Sequence, residues 1–366
     1  MTAVSDAPPV VIDDEDDDDD RPSRPRSLNA ADHIELSVAA AAGATVTLGL
    51  ALVFDWTHPV TLVVLFVLTS LAFEWLLLRD RTTAAVATDR VVQLAIWSTA
   101  AVAVGVLAWM VIFVAAKGIP GLRTSFFTED LSKSGPLNPG GGALHAIIGT
   151  IEQTALATAV AIPVGVLTSV YLHELRGRFA GIVRLFANAM SGLPSILAGL
   201  LIYTAWVSDL DMGFSGLAGS MALIVVMLPV VIRTSEEILR TVPDGLRESA
   251  LALGYPQWRM VLRVVLPTAR TGLVTAGILS VARAIGETPP VLFTAFGTSS
   301  INLNPFHGTQ SDLPLFIWGL LKQPNAVQIQ RAWTGALVLV SIVMFLFLSA
   351  RVLSGRGERR RNGGRT

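Results

Sequence analysis

The segment that decides the fold is charged and lies between two apolar stretches. It reads Glu248-Ser-Ala-Leu-Ala-Leu-Gly254-Tyr-Pro-Gln-Trp-Arg-Met-Val-Leu-Arg-Val264-Val-Leu266-Pro267. The pattern predicts a short helix, a turn at Gly254 and a second, amphipathic helix, after which Pro267 restarts the chain in the next apolar stretch. A helix–turn–helix that lies flat beneath a bundle of membrane helices is suited to contact a soluble partner and to be displaced by it.

The rest of the chain is apolar enough to cross a membrane repeatedly. Its 366 residues are 52% hydrophobic and 15% charged, whereas about a quarter of a soluble domain is charged. The apolar residues come in blocks of about 20, the length that crosses roughly 30 Å of hydrocarbon. The sequence therefore predicts an all-α polytopic membrane protein. Its eight predicted spans are 35–54, 58–78, 92–115, 146–171, 185–206, 215–234, 271–297 and 332–351.

Arginines in the short loops predict the orientation. They cluster after spans two, four, six and eight, whereas the loop at 208–211 contains no Lys or Arg. The positive-inside rule then places both termini in the cytoplasm. The loop at 116–142 carries three bases and is the exception. The chain has no cysteine and five scattered histidines, which argues against a thiolate or histidine metal site.

Four regions follow from these patterns. Residues 1–33 contain eight consecutive acids and are predicted to form a disordered, solvated cytoplasmic tail rather than a binding segment. Residues 34–89 form an additional transmembrane hairpin and inner loop. Residues 90–353 form a six-span core in which 235–269 is the charged inner segment, and 354–366 are a basic cytoplasmic tail.

The inner segment resembles the EAA motif of ABC-importer permeases: Glu-Ala-Ala, three residues, Gly, nine residues, Ile, one residue, Leu-Pro. The residues at matching offsets are Glu248, Ala250, Gly254, Val264, Leu266 and Pro267. An amphipathic helix pair without a partner is the alternative, and it leaves the spacing unexplained. The resemblance implies that the segment docks into a groove on a cytoplasmic ATPase and transmits its closure through Glu248, Ala250 and Gly254.

Four further stretches resemble the PstA-type permeases of phosphate importers, over roughly residues 90–353. They are Ser191-Gly-Leu-Pro-Ser-Ile196, Pro229-Val-Val-Ile-Arg-Thr-Ser-Glu-Glu237, Ala282-Arg-Ala-Ile-Gly-Glu-Thr288 and Leu313-Pro-Leu-Phe-Ile317. The resemblance implies a type I permease core that pairs with a PstC-type permease subunit, two ATPase subunits and an external phosphate-binding protein. The leading hairpin and acidic tail depart from the family's usual six spans.

The chain is expected to bind no cofactor and to be no enzyme. It lacks the Gly-x-x-x-x-Gly-Lys-Ser/Thr loop that cradles nucleotide phosphates. In the resembling family, ATP and Mg²⁺ bind the partner ATPase. Membrane lipid surrounds the chain, and no nucleic-acid partner is expected.

The predicted substrate path centres on charges inside the seventh span. Arg283 and Glu287 are four residues apart and therefore share a helical face, and Pro289 and Pro290 predict a kink that frees backbone carbonyls. A charge at this depth must face protein or water. Arg283 would offer donors to a phosphate and Glu287 would moderate its affinity. The alternative is a structural ion pair between helices.

Arg233 is the second candidate for the substrate path. It lies at the inner end of span six within a stretch that matches the family. An interfacial anchor that obeys the positive-inside rule is its alternative.

These observations predict the permease subunit of an ATP-driven phosphate importer that works by alternating access. Three alternatives stay open: a permease for sulfate or molybdate, a secondary transporter that uses Arg283 and Glu287 for proton coupling, and a membrane scaffold or sensor.

Overall fold

The computed structural model describes residues 30–79, 84–135, 137–138, 140–175 and 177–362. Within these ranges the chain is helical, and extended backbone pairs only at two isolated β-bridges. The prediction of a disordered acidic tail falls outside the described residues, except for its last four positions.

The described helices are α1 (Ala30–Phe54), α2 (Pro59–Arg79), α3 (Ala84–Gly118), α4 (Thr124–Thr128), α5 (Leu144–Val170), α6 (Ala180–Ser191), α7 (Ser195–Ile202), α8 (Gly216–Arg240), α9 (Asp244–Ala252), α10 (Gln257–Met260), α11 (Leu266–Ala284), α12 (Pro289–Leu292), α13 (Leu313–Leu321) and α14 (Ala326–Asn362). Three π-helical turns extend them: Tyr171–Leu175 after α5, Tyr203–Asp209 after α7, and Val261–Val265, which joins α10 to α11. Because α14 is helical to Asn362, the predicted basic tail begins within a helix.

The chain divides into two compact units inside α3. One unit ends at Ala108 and the other begins at Trp109. In the first unit α1 and α2 form the predicted hairpin, with the hydroxyl oxygens of Thr47 and Thr69 3.1 Å apart. Residue 90, at which the sequence analysis begins the core, lies in the first unit, within α3.

Seven described helical segments are long and apolar enough to cross a membrane. Six of the predicted spans fall on α1, α2, α3, α5, α8 and α14. The predicted fifth span is instead a bent pair, in which α6 and the α7 segment meet at 106°. Pro194 causes the bend: its backbone is extended, with ψ 137°, and a proline also disfavours a helical conformation at the residue before it.

The predicted seventh span, 271–297, is shifted towards the N-terminus. The apolar helix runs from Gln257 to Ala284, so it includes the second half of the charged inner segment. Pro267 does not restart the chain, because the π-helical turn Val261–Val265 leads directly into α11. Proline is tolerated in the first turn of a helix, and π-helical turns absorb irregular hydrogen bonding.

The stretch 313–317, one of the four that resemble the family, begins α13. The Asp312 carboxylate accepts a hydrogen bond from the backbone N–H of Leu315 at 2.8 Å and so caps its N-terminus. The N–H of Leu313 donates to the hydroxyl of Thr150 on α5 at 2.8 Å. Burial of Asp312 between the spans raises the pKa of its carboxyl to about 7.

The helices α7 and α12 pack closely against each other at a glycine. A Cβ built on Gly199 of α7 would lie 2.7 Å from the Cα of Pro290 in α12. That distance is shorter than any real Cβ contact, and the neighbouring atom is backbone that cannot rotate away. Gly199 therefore sets how closely α7 approaches α12.

We expect Gly199→Ala to destabilise the protein by about 1–3 kcal/mol, as overpacking does. The thermal midpoint of the purified protein in detergent measures this. Gly105→Ala is the matched control, because a Cβ at this helical glycine meets no atom within 4 Å. An equal midpoint for both variants would contradict the close approach.

Asp312 should make stability depend on pH. Its carboxyl is neutral in the folded protein up to about pH 7 but ionises near 3.8 when unfolded. Stability is therefore lost as pH rises between these values. Asp312→Asn keeps an N-cap and stays neutral, so its advantage in thermal midpoint over the wild type should grow from pH 4 to 7 and then level off. A constant difference across that range would show that the carboxyl is charged throughout.

Candidate functional site

A cavity of about 510 Å³ brings together the three charged residues that the sequence placed on the substrate path. It lies among α6, α7, α8 and the segment that follows α11. Its polar lining consists of Ser191, Ser195, Arg233, Thr234, Arg283 and Glu287. Arg233 and Arg283 are 50 positions apart in sequence, so the fold rather than local spacing creates this site.

Arg283 and Glu287 attract each other without a hydrogen bond. The Arg283 Nε and the Glu287 Oε1 are 3.9 Å apart, beyond the usual 2.7–3.2 Å of a hydrogen bond. The Arg283 side chain is 66% exposed and that of Glu287 is 20% exposed. The guanidinium donors of Arg283 therefore remain available to a ligand in the cavity.

Arg233 has an amide partner rather than a carboxylate. Its Nη2 donates to the Oδ1 of Asn188 on α6 at 3.2 Å. The nearby carboxylates are engaged elsewhere: Glu236 pairs with Arg184 at 3.0 Å, and Glu237 pairs with an exposed arginine of its own helix at 3.2 Å. Within the described residues, the cavity thus holds two arginines against one carboxylate.

Two helix ends shape the cavity wall. The N-terminus of α7 lies at the cavity, which Pro194 and Ser195 line, and a helix N-terminus carries partial positive charge. The second is the end of α11 at Ala284, next to Arg283 in the lining, and Pro289 and Pro290 then occupy the first two positions of α12. The prolines therefore begin a new helix, whereas the sequence predicted a kink within one span. Neither Asn188 nor the α7 N-terminus was singled out from the sequence, although Ser191–Ser195 lies in a matching stretch.

The inner segment folds as the predicted helix–turn–helix. Gly254, between α9 and α10, has φ +77°, a left-handed conformation that glycine adopts freely and that strains most other residues apart from Asn and Asp. Glu248 is exposed on α9. Pro267 is exposed in the first turn of α11, and Leu266 packs against the core of the segment.

Ala250 differs from its predicted role. It is 5% exposed and packs inward against Leu239, Met260 and Val265. Its small side chain therefore lets α9 pack on the protein's own helices, and it does not face outward to a partner. Five large apolar side chains do face outward from the segment: Leu246, Leu251, Leu253, Trp258 and Leu262.

Among the described residues, no three histidine or acidic side chains lie close enough together to hold a metal ion. Asp130, in the loop after α4, accepts hydrogen bonds from the backbone N–H of Ser132 at 3.1 Å and from its hydroxyl at 2.6 Å. Hydrogen bonds from Ser132 lower the pKa of its carboxyl, which suits a loop brace.

A family model decides the identity of the fold. Residues 161–361 match the model described as the binding-protein-dependent transport system inner membrane component. The chain belongs to this family. The matched region contains the whole cavity and the inner segment, so the site described above lies within the family's shared core.

Relatives with similar sequences are named as phosphate transport system permeases of the PstA type. The chain is 39% identical over 257 residues to the phosphate transport system permease protein PstA 1 of Mycobacterium tuberculosis strain H37Rv, covering 70% of this chain and 83% of that one. The PstA proteins of Mycobacterium leprae and Pasteurella multocida are 39% and 35% identical, covering 68% and 67% of this chain and 85% and 87% of theirs.

Family membership confirms the prediction of an all-α ABC-importer permease. The protein is a multi-pass inner-membrane protein, and membership implies an ATPase and a binding protein as partners. The resemblance drawn over about seven-tenths of the chain agrees with the extent of the matches to these relatives.

We expect Gly254→Ala to disturb the turn between α9 and α10. A side chain at φ +77° costs about 1–2 kcal/mol, which should raise amide hydrogen exchange in 244–260. Gly254→Asn is the control, because asparagine tolerates this conformation and the space around Gly254 is open. Equal exchange in both variants would mean that the turn does not depend on its backbone angle.

Proposed function

We propose that this chain is one of two membrane subunits of an ATP-driven importer of inorganic phosphate, which it moves by alternating access. The observation that carries the proposal is the cavity shared by Arg233, Arg283 and Glu287. The names of the PstA relatives support phosphate as the substrate.

The balance of charge favours an anion. Two arginines face one carboxylate in the cavity, and the guanidinium fork matches the geometry of phosphate oxygens. The N-terminus of α7, where Ser195 lines the cavity, adds partial positive charge. A cation in this cavity would meet two like charges.

Glu287 gives the site a means to prefer phosphate over sulfate. At neutral pH phosphate carries at least one O–H that can donate a hydrogen bond to a carboxylate, whereas sulfate carries none. A carboxylate also weakens the hold of Arg283 on an anion, so that the anion can leave. The 3.9 Å separation leaves both groups free to turn towards a ligand.

The segment 235–269 is the proposed contact for the ATPase. Its outward apolar side chains, Leu251, Leu253 and Trp258 among them, are exposed on two short helices, and such a patch marks a protein contact. Glu248 and Gly254 carry the docking role that the resemblance assigns. Ala250 contributes by packing α9 inward.

The chain itself is proposed to bind no nucleotide and to catalyse no reaction, with ATP and Mg²⁺ bound by the ATPase subunits. A homologous, PstC-type permease completes the channel, and an external phosphate-binding protein delivers the substrate. The arginine distribution supports an orientation with both termini and the segment 235–269 in the cytoplasm.

Phosphate uptake by the complete transporter in proteoliposomes tests the site. Arg283→Lys and Arg233→Lys should each lower uptake about tenfold or more, because one hydrogen bond to a charged group is worth about 1.5–3 kcal/mol. Glu287→Gln should raise inhibition by sulfate. Arg270→Lys is the matched control, since Arg270 is exposed on α11 and lies outside the cavity.

Three results would contradict the proposal. Normal uptake in all cavity variants would show that Arg283 and Glu287 form only a structural ion pair. Stronger competition by sulfate or molybdate than by arsenate in the wild type would assign another oxyanion. Uptake that collapses with a proton uncoupler at constant ATP would assign a secondary transporter.

A further inference from the structure

Arg247, on α9, is a nearly buried arginine with every donor used. Its Nε donates to the Glu174 carboxylate at 3.2 Å, and its Nη2 donates to the same carboxylate at 2.9 Å and to the carbonyl of Leu239 at 2.8 Å. Its Nη1 donates to the carbonyl of Val242 at 2.6 Å and to Asp244 at 2.8 Å. The five N–H groups of a guanidinium therefore have five acceptors.

These acceptors belong to different helices. Glu174 lies in the π-helical turn that ends α5, and its side chain is 4% exposed. Leu239 lies in the last turn of α8 and Val242 just after it. In addition, the side-chain amide of Gln257, the first residue of α10, donates to the backbone carbonyl of Glu174 at 2.7 Å. Both short helices of the segment 235–269 are thus bonded to the end of α5.

A buried ion pair is a costly way to hold helices together. Desolvation of two charges often exceeds their attraction, and apolar side chains of similar size can stabilise as well or better. The segment already has an apolar core that includes Val242, Ala250 and Met260. Apolar contacts permit sliding, however, whereas directional hydrogen bonds from one planar group fix three elements in one register.

We propose that the Arg247–Glu174 pair is the positioning contact that carries a displacement of the segment 235–269 into α5 and α8. The inference rests on the proposed docking of an ATPase on that segment. Neither residue touches substrate or nucleotide. α5 and α8 form the helix pair at the centre of the core, with Ala157, Ala161, Leu223 and Met227 packed together, and α8 carries Arg233 to the cavity.

The test measures phosphate transported per ATP hydrolysed by the complete transporter in proteoliposomes. Arg247→Lys keeps the charge but offers three donors to five acceptors, and Glu174→Gln keeps the shape of the side chain but removes its charge. Both variants should hydrolyse ATP, yet transport per ATP should fall about tenfold, within the roughly 5–150-fold typical of coupling between sites. The double variant should match the single ones, since both break one contact.

Arg270→Lys is the control. Arg270 is exposed on α11 and lies outside both the segment 235–269 and the cavity. Its transport per ATP should equal that of the wild type.

Two outcomes overturn the inference. If both Arg247→Lys and Glu174→Gln keep the wild-type ratio, the pair does not transmit the displacement. If neither variant assembles with the ATPase, the pair maintains the fold or the docking surface instead.

A third variant separates this failure from failure of the proposed docking. Leu253→Ala combined with Trp258→Ala removes exposed apolar area from the segment and should weaken ATPase association. If association is unchanged, the docking proposal itself is wrong, and the inference falls with it. If association is lost while the Arg247 and Glu174 variants stay coupled, only the further inference fails.

Discussion

A backbone amide or carbonyl in hydrocarbon has no water to bond, and leaving it without a partner costs several kcal/mol. A membrane helix can therefore break only where protein or a water-filled cavity covers the break. The two breaks in this core, at 192–194 and 285–288, border one cavity, which Pro194 and Glu287 both line. The position of the site thus follows from where the chain is permitted to leave the helix.

The helix ends at these breaks also stabilise charged side chains. Arg283 lies in the last turn of α11, where the partial negative charge of a helix C-terminus stabilises a cation by about 0.3–1 kcal/mol. Glu287, beyond the break, adds a carboxylate at 3.9 Å. The N-terminus of α7, which lines the same cavity, presents the opposite partial charge. The backbone ends and the side chains together give a polar, net positive cavity among apolar helices.

Hydropathy located most spans, charge depth singled out Arg283 and Glu287, and the family resemblance added Arg233. A charge deep in an apolar span is costly unless it faces protein or water, so its presence there indicates a functional position. The bend at Pro194 escaped prediction, since a proline within 20 apolar residues permits a kinked span as well as a broken one. The inward position of Ala250 depends on packing between α9 and α8, which no local pattern encodes.

Arg247 illustrates a different limit. In a charged segment between apolar spans an arginine resembles any solvated base, and its carboxylate partner, Glu174, lies 73 positions away. Nothing in the periodicity around either residue indicates burial. Their pairing depends on the π-helical turn that ends α5, and π-helical turns have no sequence signature comparable to a proline or a glycine.

The continuous helix from Gln257 to Ala284 has a mechanical consequence. It begins beside the exposed Trp258 and ends beside the cavity, about 40 Å away at 1.5 Å per residue. Because both ends belong to one helix, a tilt at the first end moves the second. A tilt of about 5° about the end at Gln257 displaces Arg283 by roughly 3–4 Å over that length, as far as a guanidinium must move to exchange one set of hydrogen-bond partners for another.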